Sequence, residues 1–421
     1  MLPVPSNTAA LPADLKISNR LSVLSQFRSG EQLTANNIAD NLNLSRQTVM
    51  KNIQFFLKKG LLVSVGKASS TIVGGKRPEL FALTDKLYLL CIELWPEELC
   101  IVLMDLRAGI IDKLCVRQSL LQQVSTVLDT VGKLSVKFLK QNHVPISQLC
   151  GVCVSTPGIV SYETNTLRFN SLSPQWGTNI PIIDMLRPYF GPDVLIVMEN
   201  VGKLAARALL HDTVLLREQK LDGKRLLTVF TSWGLSGCLI DKSRIHNGKH
   251  ALIGEFGHMT LESNYPFRCG CGGKGCFEQV VSNAHIQMRI NQERASYPDS
   301  MLQTIPISSV TVETIFELSR RGDELARVIT AELAQSFSVA LRNISLNFDQ
   351  EYVVIQGVFA NADEYFKQKL TSALMEFHYY FDNMPFEIKY DTRPVYKLDQ
   401  MGAYSYMLDQ FLANSVLYED S

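Results

Sequence analysis

The chain has 421 residues, and its 41 Lys and Arg balance 41 Asp and Glu, for a formal net charge of zero. That balance excludes whole-chain attraction to nucleic acid or to a charged membrane, and 46% hydrophobic content excludes a disordered polymer. No apolar run reaches the roughly 18–20 residues of a membrane span. The start, "MLPVPSNTAALPADLK", lacks the basic head and apolar core of a secretory leader, so a cytoplasmic protein without membrane insertion is expected.

The charge is unevenly spread. Residues 1–84 carry ten Lys and Arg against four Asp and Glu, which marks this piece as a candidate nucleic-acid binder. Within it, Leu21, Val23, Leu24 and Phe27 give one helical apolar face. Thr34 can cap a second helix bearing Ile38, Ala39 and Leu42. "NLNLS" then makes a tight turn, and Ser45 caps a third helix with Val49, Ile53, Phe56 and Leu57 inward, stopped at Gly60. Two short helices across a tight turn form the helix-turn-helix layout. Arg46, Gln47, Thr48, Lys51 and Asn52 then point outward beside Ser45, with donors suited to base edges and phosphates. "LLVSVGKASSTIVGGKRPELFAL" alternates as two strands around a polar turn, a wing that places Lys67, Lys76 and Arg77 near the DNA backbone. A small helical protein-interaction domain is the alternative.

From residue 87 the pattern is α/β. Three strand-like runs, "LYLLCIEL", "LCIVLMDL" and "IDKLCVRQ", precede a helix over about Leu120 to Gln141 and a buried strand, "LCGVCVS". The order repeats near residue 226: "RLLTVFTS", "GCLIDK" and "SRIHNG", an insertion, a long helix with Leu325, Ile329, Leu333, Phe337 and Leu341 on one stripe, then "EYVVIQG". Two such units predict two similar lobes with a ligand cleft between them. Two unrelated α/β domains are the alternative. The expected division is a winged head over 1–84, a first lobe over 85–200 and a second lobe over 201–421.

Nine cysteines are present. Six of them, Cys91, Cys100, Cys115, Cys150, Cys153 and Cys238, lie in or beside apolar runs and are expected to be reduced; an odd count argues against a disulfide framework. The other three crowd into "GEFGHMTLESNYPFRCGCGGKGCFEQ", residues 254–279. Cys269, Cys271 and Cys276 with His258 make a Cys₃His set, the closed kind that holds structural Zn²⁺. A redox site would need a Cys-x-x-Cys pair, and a phosphate loop would end in Lys-Ser/Thr. Neither is present, and three unligated cysteines remain the bland alternative.

"GEFGHMT" followed by "CGCGGKGCFE" resembles the consensus of the ROK family of repressors, open-reading-frame proteins and sugar kinases. "GGKRPELFAL" after the head resembles its repressor branch, and "VSTPGIVSYETNTLRFNSLSPQW" its Pro-Gly loop and sugar-contacting asparagine region. The likeness runs from about residue 17 almost to the end. It implies an actin-like, ribonuclease H-like body of sugar-kinase type behind a winged helix-turn-helix, with zinc on His258, Cys269, Cys271 and Cys276. It further implies hexose contacts at Asn170, Asn200, Glu255, His258 and Glu278.

The kinase parts are eroded. The family's phosphate hairpin, similar to Asp-x-Gly-Gly-Thr, falls on Glu93 and Leu94-Trp95-Pro96-Glu97, where a proline, an indole and a carboxylate oppose phosphate approach. The matching loop in the other lobe reads "FTSWGLSGC". The general base that should follow Asn200 is Val201, which accepts no proton. The expectation is a non-enzymatic regulator, a repressor binding double-stranded operator DNA as a homodimer or tetramer, with a sugar or sugar-phosphate effector. An ATP-dependent sugar kinase with a DNA-binding head is the runner-up. A third reading is control by docking of a sugar-transport protein.

Overall fold

The structure is a computed structural model that describes residues 12–69, 77–377 and 386–420. The head comprises α1 (Pro12–Ser25), β1 (Leu33–Thr34), α2 (Ala35–Leu42), α3 (Arg46–Lys58), β2 (Leu62–Lys67) and β3 (Glu79–Leu83). Thr34 caps α2 in a reciprocal capping box with Asn37, and Ser45 Oγ accepts the Thr48 amide at 3.1 Å to start α3. Between these helices Asn43 adopts the left-handed conformation, φ 53°, and turns the chain. Strands β2 and β3 pair antiparallel, with β1 on the other edge of β3. The turn between β2 and β3, including Lys76, lies outside the described residues.

The first lobe holds β4 (Tyr88–Leu94), β5 (Glu98–Asp105), β6 (Ile110–Arg117), α4 (Val124–Gln141), β7 (Leu149–Thr156), β8 (Ile159–Ser161), β9 (Thr166–Phe169), α5 (Ile182–Phe190) and β10 (Leu195–Asn200). Then come α6 (Val201–His211) and α7 (Thr213–Glu218). The second lobe has β11 (Leu226–Thr231), β12 (Leu235–Asp241) and β13 (Arg244–Ile245), followed by α8 (Phe277–Val280), α9 (Asn283–Glu293) and α10 (Val312–Arg320). It continues with α11 (Glu324–Phe348), β14 (Tyr352–Gly357), α12 (Glu364–Met375), β15 (Glu387–Asp391) and α13 (Val395–Leu412).

The two five-stranded sheets share one topology. Their orders are β10-β7-β4-β5-β6 and β13-β12-β11-β14-β15. In each, the first strand of the unit lies centrally, pairs antiparallel with the second on one side, and pairs parallel with a later strand on the other. The central strands are buried almost throughout, which is why they read as unbroken apolar runs.

Two long-range features depart from the sequence reading. Helix α13 falls in the piece assigned to the second lobe, yet its Tyr404, Met407 and Leu408 share a core with Cys91 and Val102 of the first sheet. It crosses α6 closely at Gly402, where a Cβ would come within 2.0 Å of the Leu204 carbonyl oxygen. That same core takes in Val23, Phe27, Ile53 and Phe56 of the head and reaches Tyr418. The head is therefore fused to the first lobe through α13. Arg20, 5% exposed, fixes the join. Its guanidinium lies 3.4 Å from the Phe55 ring centroid and donates to the Tyr418 carbonyl.

The second departure concerns the cysteines. Cys100 and Cys115, expected reduced, form a disulfide. The β5–β6 register sets them directly opposite with Cα atoms 4.2 Å apart, the close-pair spacing of an antiparallel ladder. No sequence-local pattern reveals that register. Among the described residues no helix is long and apolar enough to cross a membrane.

Candidate functional site

The cleft between the lobes is built from chain turns at strand ends. The first lobe supplies the β4–β5 turn at Trp95 and Pro96, Pro157 and Gly158 after β7, Ser171 after β9, and the β10–α6 junction at Asn200 and Val201. The second lobe supplies the β11–β12 turn at Ser232, Trp233 and Gly234, together with Glu255, His258 and Glu278. The cavity they enclose is about 40 Å³, room for a few waters.

Four of the five residues implied for a hexose line this cavity: Asn200, Glu255, His258 and Glu278. Asn200 is also structural. Its Oδ1 accepts the Gly202 amide at 2.8 Å and so caps α6, while its Nδ2 donates to the Gly158 carbonyl at 2.7 Å. Asn170 sits behind the lining. It is fully buried, its Oδ1 accepts the Leu172 amide at 2.9 Å, and its Nδ2 has no partner among the described residues. An orphaned buried donor one residue behind the cavity wall is costly unless a ligand or water meets it. Burial pushes the Glu255 carboxyl above its ordinary range, against the pull of His258 and Lys203.

The cysteine knuckle adjoins the carboxylates. His258, Cys269, Cys271 and Cys276 each present a ligand atom within 4.8 Å of the others. Cys269 Sγ lies 3.6 Å from His258 Nδ1, and Cys271 Sγ lies 3.6 Å from Cys276 Sγ. A tetrahedron with metal–sulfur bonds of about 2.3 Å has sulfur–sulfur edges near 3.8 Å, so the donor set and its spacing fit a four-coordinate ion. Burial raises the Cys269 thiol strongly and the Cys276 thiol to about 11. A cation is what would hold them as thiolates. The loop also touches the opposite lobe. A Cβ on Gly270 would lie 2.0 Å from the Ser171 carbonyl oxygen, so only glycine allows that approach. Glu278 bridges knuckle and cavity, its Oε1 3.1 Å from Cys269 Sγ and 3.4 Å from His258 Nδ1.

Trp233 was not singled out by sequence. Its ring stacks on Trp95 with centroids 4.9 Å apart and planes 33° apart. The β4–β5 and β11–β12 turns thus meet through an indole pair. Val201 packs against the same group, sharing a cluster with Trp95 and Phe230. Also missed was a buried network behind Asn200. Tyr162 donates to both Glu199 oxygens at 2.8 and 2.9 Å, and Lys203 Nζ donates to Tyr162 at 3.1 Å. A lysine inside "VGKLAA" is the signal that could have exposed it.

On the head, Ser45, Arg46, Gln47 and Lys51 are exposed and Thr48 half-buried. Lys67, the last residue of β2, and Arg77, two residues before β3, are exposed. Asn52 does not point outward. It is 7% exposed, and its Nδ2 donates to the Thr48 carbonyl at 2.8 Å, because it shares the inward stripe of Val49, Ile53 and Phe56.

A body of two α/β lobes with this strand order, and a His-Cys₃ loop at the cleft, defines a protein of sugar-kinase-like fold. The chain belongs to the ROK family, whose sequence model matches residues 90–393. It is 23% identical over 370 residues to a xylose repressor of Caldicellulosiruptor bescii, covering 86% of this chain and 88% of that protein. The fold matches a ROK family transcriptional regulator, a homologue of the Escherichia coli MLC protein, with a TM-score of 0.75 and 17% identity. That match covers 96% of this chain and 100% of the other. It also matches a ROK family glucokinase from Streptomyces griseus, solved with glucose and AMPPNP, with a TM-score of 0.61, 18% identity and coverage of 76% and 98%.

Proposed function

We propose that this chain is a DNA-binding transcriptional repressor of sugar-metabolism genes, whose body senses a sugar or sugar phosphate and does not phosphorylate it. The observation that carries the reading is the pairing of an exposed polar α3 face with a kinase-like cleft whose phosphate-flanking turns hold the Trp95–Trp233 stack. The similarity to a xylose repressor and to the regulator related to MLC supports it. Val201 at the position of the base supports it further, since an isopropyl group takes no proton from a hydroxyl.

In this reading Ser45, Arg46, Gln47, Thr48 and Lys51 meet one operator half-site, and Lys67 and Arg77 contact backbone beside it. A homodimer reads two half-sites. Asn52 holds the helix and does not read DNA. Glu255 and Glu278 accept hydrogen bonds from vicinal hydroxyls, Asn200 orients the first lobe against the ligand, and Asn170 Nδ2 finds its partner there. Zinc on His258 Nδ1, Cys269, Cys271 and Cys276 supplies rigidity, and it leaves His258 Nε2 facing the cavity. The cavity is too small for a hexose as it stands, so admission requires the lobes to part. A ligand with different affinity for parted and closed lobes shifts their balance. The head follows the first lobe because they share a core.

The test is a fluorescence-anisotropy titration of labelled operator with and without a panel of hexoses, amino sugars and their phosphates. It is paired with a turnover assay with ATP and magnesium. A sugar that changes operator affinity without turnover supports the reading, and robust phosphorylation sinks it.

A further inference from the structure

A second and larger cavity lies on the far side of the indole pair, about 680 Å³ in volume. It shares Trp95, Trp233 and Glu278 with the smaller one. Its chemistry is unlike that of a nucleotide site. Four carboxylates line it, Glu93, Glu98, Glu278 and Glu313, against one cation, Lys113. A polyphosphate there would meet net negative charge in a partly enclosed space, where repulsion is weakly screened. The walls include two indoles and a phenol, and the rings of Trp233 and Tyr396 stand 53% and 54% exposed.

The floor carries a more specific mark. Glu93 is fully buried, and its Oε2 is partnered by the Trp95 indole N–H at 3.2 Å and by Lys113 Nζ at 3.9 Å. Its carboxyl also faces the buried Gln400 side chain, but neither Glu93 Oε1 nor Gln400 Nε2 makes a well-aligned hydrogen bond among the described residues. A buried carboxylate oxygen without a donor is expensive, and the group that relieves it is a hydrogen-bond donor, best a charged one. Flat aromatic faces beside carboxylates are the surroundings that hold organic cations. Lys113 already shows the preference, with its ammonium 5.3 Å from the Tyr396 ring centroid.

We propose that this cavity is a binding site for a small organic cation with a flat aromatic or apolar face, its amine directed to the carboxylates that line it and its ring set against Trp233 and Tyr396. The site stands apart from the sugar reading and does not depend on it. Because Trp95 and Trp233 form the wall between the two cavities, an occupant here also fixes the indole pair that roofs the other.

The experiment is isothermal titration calorimetry of the full chain with three indole probes of different charge: tryptamine, 3-methylindole and indole-3-propionate. Magnesium-ATP is titrated as the fourth ligand. Tryptamine is expected to bind at least about tenfold more tightly than indole-3-propionate, with 3-methylindole between them. Trp233→Ala, an exposed position that should not disturb folding, is expected to weaken tryptamine about tenfold. Glu93→Gln should weaken it further. Since Glu93 is buried, the rim double variant Glu98→Gln/Glu313→Gln provides the independent charge test and should reduce affinity several-fold. The proposal is overturned if the acid binds as well as the amine, or if tryptamine gives no heat at millimolar concentration. It is equally overturned if Trp233→Ala leaves tryptamine affinity unchanged, or if magnesium-ATP binds more tightly than tryptamine.

Discussion

His258 faces two ways: its Nδ1 lies 3.6 Å from Cys269 Sγ, and its Nε2 lies 3.9 Å from Glu255 Oε2. One imidazole therefore ties the cysteine loop to the carboxylate in the cleft. Removing a thiol should be felt on both sides. Cys269→Ser is expected to lose bound zinc, measured by elemental analysis, and to lower the unfolding midpoint by more than about 5 °C. A variant that keeps one zinc per chain would contradict the ligand assignment.

Glu255→Ala should abolish the response of operator affinity to sugar while leaving affinity in the absence of sugar within about twofold. The residue lies in the cleft between the lobes. An operator titration that still responds to sugar would remove Glu255 from the ligand site.

Arg46→Ala or Gln47→Ala should cost about 1–3 kcal/mol of specific operator binding, with thermal stability unchanged. Asn52→Ala should do the reverse. Loss of its buried bond to the Thr48 carbonyl costs roughly 1 kcal/mol of folding stability. The contrast separates a residue that reads DNA from one that holds the helix reading it.

Arg20→Ala should destabilise the chain by about 2–3 kcal/mol, through loss of its stacking on Phe55 and its bond to the Tyr418 carbonyl. Limited proteolysis should then release the head from the body sooner. Unchanged protease resistance would mean that the join rests elsewhere in the shared core.

His211 packs edge-on against Tyr404, centroids 5.4 Å apart, and burial lowers its pKa below the ordinary 6.5, outweighing the pull of Asp409 and Asp212. The sign follows from linkage. Above 6.5 neither state binds the proton; as pH falls below it, the unfolded chain takes one that the folded chain refuses, and stability drops until the folded pKa is passed. His211→Gln should flatten this acid slope in melting curves recorded between about pH 7.5 and 5. A slope identical to that of the unaltered protein would count against it.

Local features were legible in the sequence. Ser45 and Thr34 announce helix starts by residue type, and β4, β7, β11 and β14 announce themselves as buried strands by continuous apolar runs. The His258–cysteine cluster was legible because its four residues lie within one short loop and its preceding turn. Asn52 misled because its polarity outweighed its position, three residues after Val49 and four before Phe56, on the buried stripe. What sequence could not supply was distance across the chain. The Cys100–Cys115 pairing depends on strand register, the return of α13 to the first lobe on packing, and the Trp95–Trp233 stack on two turns meeting across the cleft.

The shared core of head and α13 also orders events during synthesis. The core residues from Val23 to Leu62 leave the ribosome early, but Tyr404, Leu412 and Tyr418, which complete their packing, are made long afterwards. Until then Phe27, Ile53 and Phe56 lack part of their apolar cover, and such partly covered surfaces invite chaperones. The nascent head thus waits for both lobes to be made. A chain cut short before α13 would carry every residue proposed to contact DNA and still lack the seat that aligns them.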